Sequence, residues 1–73
     1  MARVGDIEPD PAHPAIARAR QILAHYSDEY FVVWFNRPSS FLDGRRPCDI
    51  LDSDPERVVA QAQYLYDAEF FAG

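Results

Sequence analysis

The chain contains no lysine, so all seven of its cationic side chains are arginines, against twelve aspartates and glutamates. The formal net charge is −5 at neutral pH. Proteins that bind nucleic acids directly present a basic surface to the phosphate backbone. The charge balance therefore argues against direct nucleic-acid binding, while an acidic surplus suits either solubility or a basic partner.

Cysteine is almost as scarce, since Cys48 is the only one. A single thiol excludes an internal disulfide and cannot build a zinc site without several histidines. A free thiol also agrees with a reducing compartment. No apolar run approaches the roughly 20 residues needed to cross a bilayer, and no signal segment is apparent. We expect a cytoplasmic protein without a membrane span.

The chain is also short, at 73 residues, which allows one domain with a small core. Cys48 has no evident partnering base, and His13 and His25 stand apart from other metal ligands. Four carboxylates in one loop lack the order of a calcium-binding EF-hand and are better explained as helix caps. They are Asp49, Asp52, Asp54 and Glu56. We expect no enzyme activity, no metal site and no cofactor.

Hydrophobic periodicity predicts an all-α domain with three main helices and one short helix. Residues 1–12 are rich in proline and are expected to form a flexible or extended arm, and residues 13–73 are expected to form the domain. The first helix is predicted over residues 14–26, because Ile16 and Leu23 belong to one apolar face.

The second element allows two interpretations. Valines and aromatic residues between Tyr30 and Phe35 favour a strand by propensity. Ser27, followed by Asp28 and Glu29, instead resembles a helix N-cap with acids in the first turn. We predict a helix, and because it is apolar nearly all round, one of its sides is available to a partner.

The stretch from residue 41 to residue 58 predicts a turn and two helices. Gly44 suits a turn because it tolerates a positive φ. A short helix is predicted over residues 47–51, and the last helix from residue 54 or 55 to about residue 70. Either Asp54 or Ser53 can serve as the N-cap of that last helix.

Two groups of residues are candidates for binding a partner. Arg45 and Arg46 form either an anion site or ion pairs with nearby aspartates. At the other end of the chain, more aromatic residues occur than one helix face can bury, which is typical of interface anchors. A tail that folds over the core is the alternative. These aromatic residues are Tyr64, Tyr66, Phe70 and Phe71.

Residues 28–70 resemble the toxin-binding domain of the MbcA/ParS/Xre family of antitoxins. The resemblance lies in the order and spacing of a Trp-containing helix, a Gly/basic-Pro turn, a short helix, and a last helix with Arg-Val near its start. The matching residues are Trp34, Pro38, Leu42, Gly44, Arg45, Arg46, Pro47, Asp49, Leu51, Arg57 and Val58.

The resemblance implies a helical module that neutralises a RES-domain toxin. Such toxins degrade NAD and have a fold similar to ADP-ribosyltransferases, and the antitoxin blocks their active-site cleft. On this basis the LDGRRP stretch is expected to act as an elbow that orients the last helix. Residues expected to contact the toxin are Arg45, Arg46, Tyr66, Glu69, Phe70 and Phe71.

The chain departs from the family pattern in two places. Family members usually carry a longer N-terminal half similar to a helix-turn-helix, whereas residues 1–27 alone precede the Trp helix here. Promoter binding is therefore not expected. Near the end of the last helix, Glu69 and Phe70 stand where the family tends to have a glycine. The alternative function is a self-associating adaptor or regulatory protein that uses the same domain without a toxin.

Overall fold

The protein is described here by a computed structural model that covers residues 6–70. Over that range it contains four α-helices, one short 3-10 turn and no strand. The all-α prediction, with three longer helices and one short helix, is confirmed. The elements are α1 (Pro14–Ile22), α2 (Asp28–Phe35), the 3-10 turn Ser40–Leu42, α3 (Pro47–Ile50) and α4 (Pro55–Phe70).

Helix α1 ends at Ile22, so the prediction that it continues to residue 26 is wrong. The reason is the side chain of Arg20. Its guanidinium donates hydrogen bonds to the carbonyl oxygens of Leu23, at 2.8 Å, and Tyr26, at 3.0 Å. These bonds satisfy carbonyls in a pair of turns after the helix. The chain then reverses direction into α2.

The stretch that allowed either a strand or a helix is helical, as predicted. The Ser27 hydroxyl accepts a hydrogen bond from the Tyr30 amide at 3.1 Å, which makes Ser27 the N-cap. Asp28 and Glu29 lie in the first turn, where the helix dipole favours carboxylates. This local signal outweighs the strand propensity of the apolar residues.

In the structure, the elbow comprises residues 39–46, and it contains hydrogen-bonded structure that the sequence did not predict. Ser39 and Arg45 form an isolated antiparallel bridge, and the 3-10 turn Ser40–Leu42 lies between them. Gly44 has the predicted positive φ, at 82°, but Asp43 also adopts the left-handed region, at 58°. Two consecutive left-handed residues reverse the chain tightly and direct it into α3.

The structure decides two predictions for the residues after the elbow, the end of the short helix and the N-cap of the last helix. Helix α3 ends at Ile50, one residue earlier than predicted. Asp54 is the N-cap of α4, since its carboxylate oxygen accepts a hydrogen bond from the Arg57 amide at 3.3 Å. The hydroxyl of Ser53 instead donates to the carbonyl of Ile50 at 3.3 Å, so the alternative cap is not formed.

One apolar cluster holds the helices together. Helix α1 packs mainly on α4, while α2 and α3 close the other side. Among the residues that share the resemblance, Pro47 is buried, Leu51 is half-buried, and Pro38 is exposed. The largest members of the core are Ile16, Leu23, Phe31, Trp34, Phe35, Leu42, Ile50 and Val58. Within residues 6–70, no helix has both the length and the apolar character to cross a membrane.

Candidate protein-binding site

The C-terminal half of α4 presents an aromatic surface. The side chain of Tyr64 is 56% exposed, which is the largest exposure of any large apolar residue in the described range. Its ring stacks on Phe41 of the 3-10 turn, with centroids 5.0 Å apart. Tyr66 is half-buried, and its ring lies 6.1 Å from that of His25. The expectation that some of these aromatic residues are exposed is therefore met at Tyr64.

The same half of α4 is acidic. Asp67 and Glu69 are both exposed, and the last turn contains no basic residue. The helix dipole places partial negative charge at this end, so carboxylates here are unfavourable by a few tenths of a kcal/mol to about 1 kcal/mol. The Asp67 carboxylate accepts a hydrogen bond from Gln63 at 3.0 Å.

Phe70 is the last residue of α4. The side chain of Phe70 and the whole of Phe71 lie outside the described residues. The expected contacts of these two aromatic residues with a partner therefore stay predictions from the sequence.

Arg46 is held by an internal pair. Its guanidinium donates two hydrogen bonds to the Asp49 carboxylate, at 2.9 Å and 2.8 Å. This bond to Arg46 lowers the pKa of Asp49, and the bond to Asp49 raises the pKa of Arg46. Since Asp49 lies in the first turn of α3, the pair braces the start of that helix. The pair uses two of the five N–H donors of Arg46 and balances its charge.

Arg45 is more available. Its side chain is half-exposed, and its closest carboxylate, that of Asp43, is 3.9 Å away. One guanidinium nitrogen donates to the Leu42 carbonyl at 3.1 Å. Asp43 lies 3.5 Å from the guanidinium of Arg57, which ties the elbow to the start of α4.

The structure separates the predicted binding residues into two places. The elbow touches α4 at Arg57, while Tyr66 and Glu69 lie in its last turns. At 1.5 Å per residue, the rise from Arg57 to Glu69 is about 18 Å. Arg45 and Arg46 therefore do not form one compact site with Glu69.

Cys48 lies half-buried in α3 and packs against the core. Burial raises the pKa of its thiol, an effect that outweighs the neighbouring Arg46. A raised pKa reduces the fraction of reactive thiolate. Among residues 6–70, His, Cys, Asp and Glu side chains form no group of three that could hold a metal ion.

A feature that the sequence reading missed is an open groove of about 650 Å³ between the N-terminal arm, α1 and α2. One face of α1 and its following turn supplies Ala17, Arg20, Gln21 and Ala24, at helical spacing. The spacing could have indicated this second face in the sequence, because these four residues recur at helical intervals on a side of α1 next to the buried one. The remaining lining residues are Glu8, Pro9, Pro11, Ile16, Asp28, Phe31 and Val32.

Asn36, at the end of α2, was also missed. Its side-chain oxygen accepts a hydrogen bond from the Ile7 amide, and its side-chain nitrogen donates to the Ile7 carbonyl, both at 2.9 Å. The same nitrogen donates to the carbonyl of Val32 at 2.9 Å. Asn36 thus fastens the arm to α2. An asparagine before Arg37-Pro38 resembles an ordinary helix end, so no local signal indicated this long-range contact.

Comparison with known proteins finds no family model that matches the chain and no curated protein or solved structure that is similar to it.

Proposed function

We propose that this chain is an antitoxin-like binding module that neutralises a RES-type, NAD-degrading toxin. The C-terminal end of α4 enters and blocks the active-site cleft of the toxin. The observation that carries the proposal is the combination, on this end, of an exposed aromatic residue, Tyr64, with exposed carboxylates at Asp67 and Glu69.

This combination is costly for an isolated helix. Carboxylates at a helix C-terminus oppose the dipole, and an exposed tyrosine leaves apolar surface in water. Departures from local stability rules are concentrated at functional sites. Binding to a basic, partly apolar cleft offsets both costs, because the cleft supplies cations for the carboxylates and covers the ring.

The chemistry of the proposed partner fits these groups. A cleft that binds an anionic dinucleotide requires cationic or amide donors for its phosphates. Glu69 presents a carboxylate that occupies the place of a phosphate, and Phe70 or Phe71 fills the apolar part of the cleft. Charge-assisted hydrogen bonds from an arginine to a carboxylate are among the stronger polar contacts in interfaces.

The elbow has a supporting part in this proposal. The bonds of Arg46 to Asp49 and of Arg57 to Asp43 fix the direction in which α4 leaves the domain. Arg45, the less engaged of the two elbow arginines, contacts the rim of the toxin. The module acts in the cytoplasm and without cofactor, metal or catalysis of its own.

The experiment is co-expression with the protein encoded by the adjacent reading frame, where that protein has a RES domain, followed by measurement of cellular NAD and affinity purification. The wild-type chain should co-purify with the toxin and preserve NAD. Glu69→Arg should weaken the complex at least about tenfold. Glu56→Arg is the control, since it makes the same charge change at the exposed start of α4.

Equal affinity of the Glu69→Arg and wild-type chains would contradict the proposed contact. If the chain formed oligomers and left NAD depletion unchanged, the function as a self-associating adaptor would be supported in place of toxin neutralisation.

A further inference from the structure

The groove between α1 and α2 has an apolar floor and two helical walls. Phe31 and Val32 of α2 line one side. On the other side, Ala17 and Ala24 are small enough to let a partner backbone approach closely. Two helix faces that leave an apolar channel between them match the arrangement by which proteins receive an amphipathic helix. A volume of about 650 Å³ suits several side chains of such a helix.

The third wall is the N-terminal arm. Pro9 and Pro11 line the groove, and Asn36 holds the arm in place through both backbone groups of Ile7. Proline restricts the backbone, so the wall between these residues is stiff. The groove therefore has a defined shape, and the clamp between Asn36 and Ile7 helps to position its third wall.

The charge of the groove favours a basic occupant. Among the described residues that line the groove, Arg20 is the only cation, and it is already engaged. Its guanidinium bonds to two backbone carbonyls, lies 2.8 Å from the Asp28 carboxylate, and sits 5.4 Å from the centre of the Phe31 ring. Its charge is thus balanced by Asp28, and three of its five N–H donors are used.

Glu8 is the charged lining residue that remains once Arg20 and Asp28 balance each other. It is exposed at the rim, and within residues 6–70 it has no ion pair. Asp10, two residues further along the arm, is also exposed. Among the described residues of the arm, the exposed charges nearest the mouth of the groove are therefore negative. This excludes the chain's own acidic α4 end as a favourable occupant, and the net charge of −5 opposes a second copy.

We propose that this groove binds a basic amphipathic helix of a partner protein, with apolar side chains on Phe31 and Val32 and an arginine or lysine beside Glu8. The surface is separate from the α4 end, so the inference does not depend on toxin neutralisation. It gives the domain a second partner, which can be bound while α4 is engaged.

The probe is a synthetic helical peptide with leucines at positions i, i+3, i+4 and i+7 and arginines on its flanks. A matched peptide carries glutamate in place of each arginine. Calorimetric titration of the full chain should show binding of the arginine peptide that is at least about tenfold tighter than that of the glutamate peptide.

Two matched pairs of variants locate the site. Val32→Gln places a polar group in the groove, whereas Val33→Gln changes a neighbouring valine that is 40% exposed outside the groove. Glu8→Arg reverses the rim charge, whereas Glu56→Arg makes the same change on α4. The groove variants should each weaken the arginine peptide about tenfold, and the controls should have little effect.

A thermal melt of each variant verifies that it is folded. Equal binding of the two peptides, or equal loss in Glu8→Arg and Glu56→Arg, would overturn the proposal by showing attraction to net charge alone. A free chain that sediments as a dimer, and dissociates in Val32→Gln, would assign the groove to a second copy and overturn it as well.

Discussion

The two ends of α4 differ in how their local interactions affect stability. At the start, Asp54 caps the helix, Glu56 lies in the first turn, and Arg57 is tied to Asp43 of the elbow. At the other end, Asp67 and Glu69 oppose the dipole, and Tyr64 is largely exposed. The contrast shows that local interactions stabilise the start of α4 and oppose its end, which is the end proposed to bind the toxin.

The largest effect is expected from Trp34→Ala. Trp34 is 5% exposed and belongs to the same core cluster as Val58, near the start of α4. Truncation of a buried tryptophan costs about 3–5 kcal/mol, which approaches the whole stability of a small domain. Chemical denaturation should show an unfolded chain. Tyr64→Ala is the comparison at the other end, and it should retain a cooperative transition close to that of the wild type.

Trp34→Phe is a useful intermediate. The indole nitrogen of Trp34 is buried without a hydrogen-bond partner in the described range, so phenylalanine keeps most of the packing and removes that unpaired donor. We expect a smaller loss than for alanine. If Trp34→Ala unfolded in a cooperative transition with the same midpoint as the wild type, the tryptophan would not anchor the core.

Gly44→Ala should have the next largest effect. Gly44 has a φ of 82°, and an added Cβ would meet no atom within 4 Å. The cost is therefore backbone strain alone, about 1–2 kcal/mol. Denaturation at equilibrium measures it. Ser40→Ala, an exposed substitution in the same elbow, serves as the control, and an unchanged midpoint for Gly44→Ala would contradict the strain argument.

A carboxylate substitution at each end of α4 should change stability in opposite directions. Asp54→Ala removes the N-cap and should destabilise the chain by about 1 kcal/mol. Glu69→Lys places a cation at the negative end of the dipole and should stabilise it by a few tenths of a kcal/mol to about 1 kcal/mol. Thermal melts of both variants test the contrast. Destabilisation by Glu69→Lys would mean that Glu69 already has a stabilising role.

The smallest effect concerns pH. The hydrogen bond from Arg46 lowers the pKa of Asp49 below its ordinary value. A lowered folded-state pKa contributes stability that is present above the unfolded pKa of about 3.9 and is lost as pH falls through the folded pKa. In Asp49→Asn, the melting temperature should fall slightly less steeply than in the wild type as the pH is lowered through the acid range, so the slope of melting temperature against pH is smaller. Asp52→Asn, at a largely exposed carboxylate, should alter that slope less.

The sequence predicted the elements whose signals are local. Ser27 and Asp54 identify the starts of α2 and α4 through their capping side chains, and Gly44 identifies the elbow turn. The end of α1 was placed too late because Arg20 reaches forward to Leu23 and Tyr26, and periodicity carries no information about such bonds.

The groove and the grouping of the binding residues were less predictable, because both depend on contacts between residues far apart in the sequence. The clamp between Asn36 and Ile7 joins residues 29 positions apart. The groove arises only when the arm, α1 and α2 are assembled. Similarly, Arg45 and Glu69 were assigned to one binding set, yet they lie near opposite ends of α4. Residue types indicate candidate contacts, whereas their grouping requires the tertiary arrangement.

The most direct test of the central claim is deletion of residues 69–73 from the chain in cells that also produce the proposed partner, a RES-domain protein encoded by the adjacent reading frame. The deletion removes the last carboxylate and the terminal aromatic residues but leaves the core intact. We predict a folded chain by circular dichroism that no longer preserves NAD or growth and binds the toxin at least about thirtyfold more weakly. Full rescue and full-strength binding by the truncated chain would contradict the account.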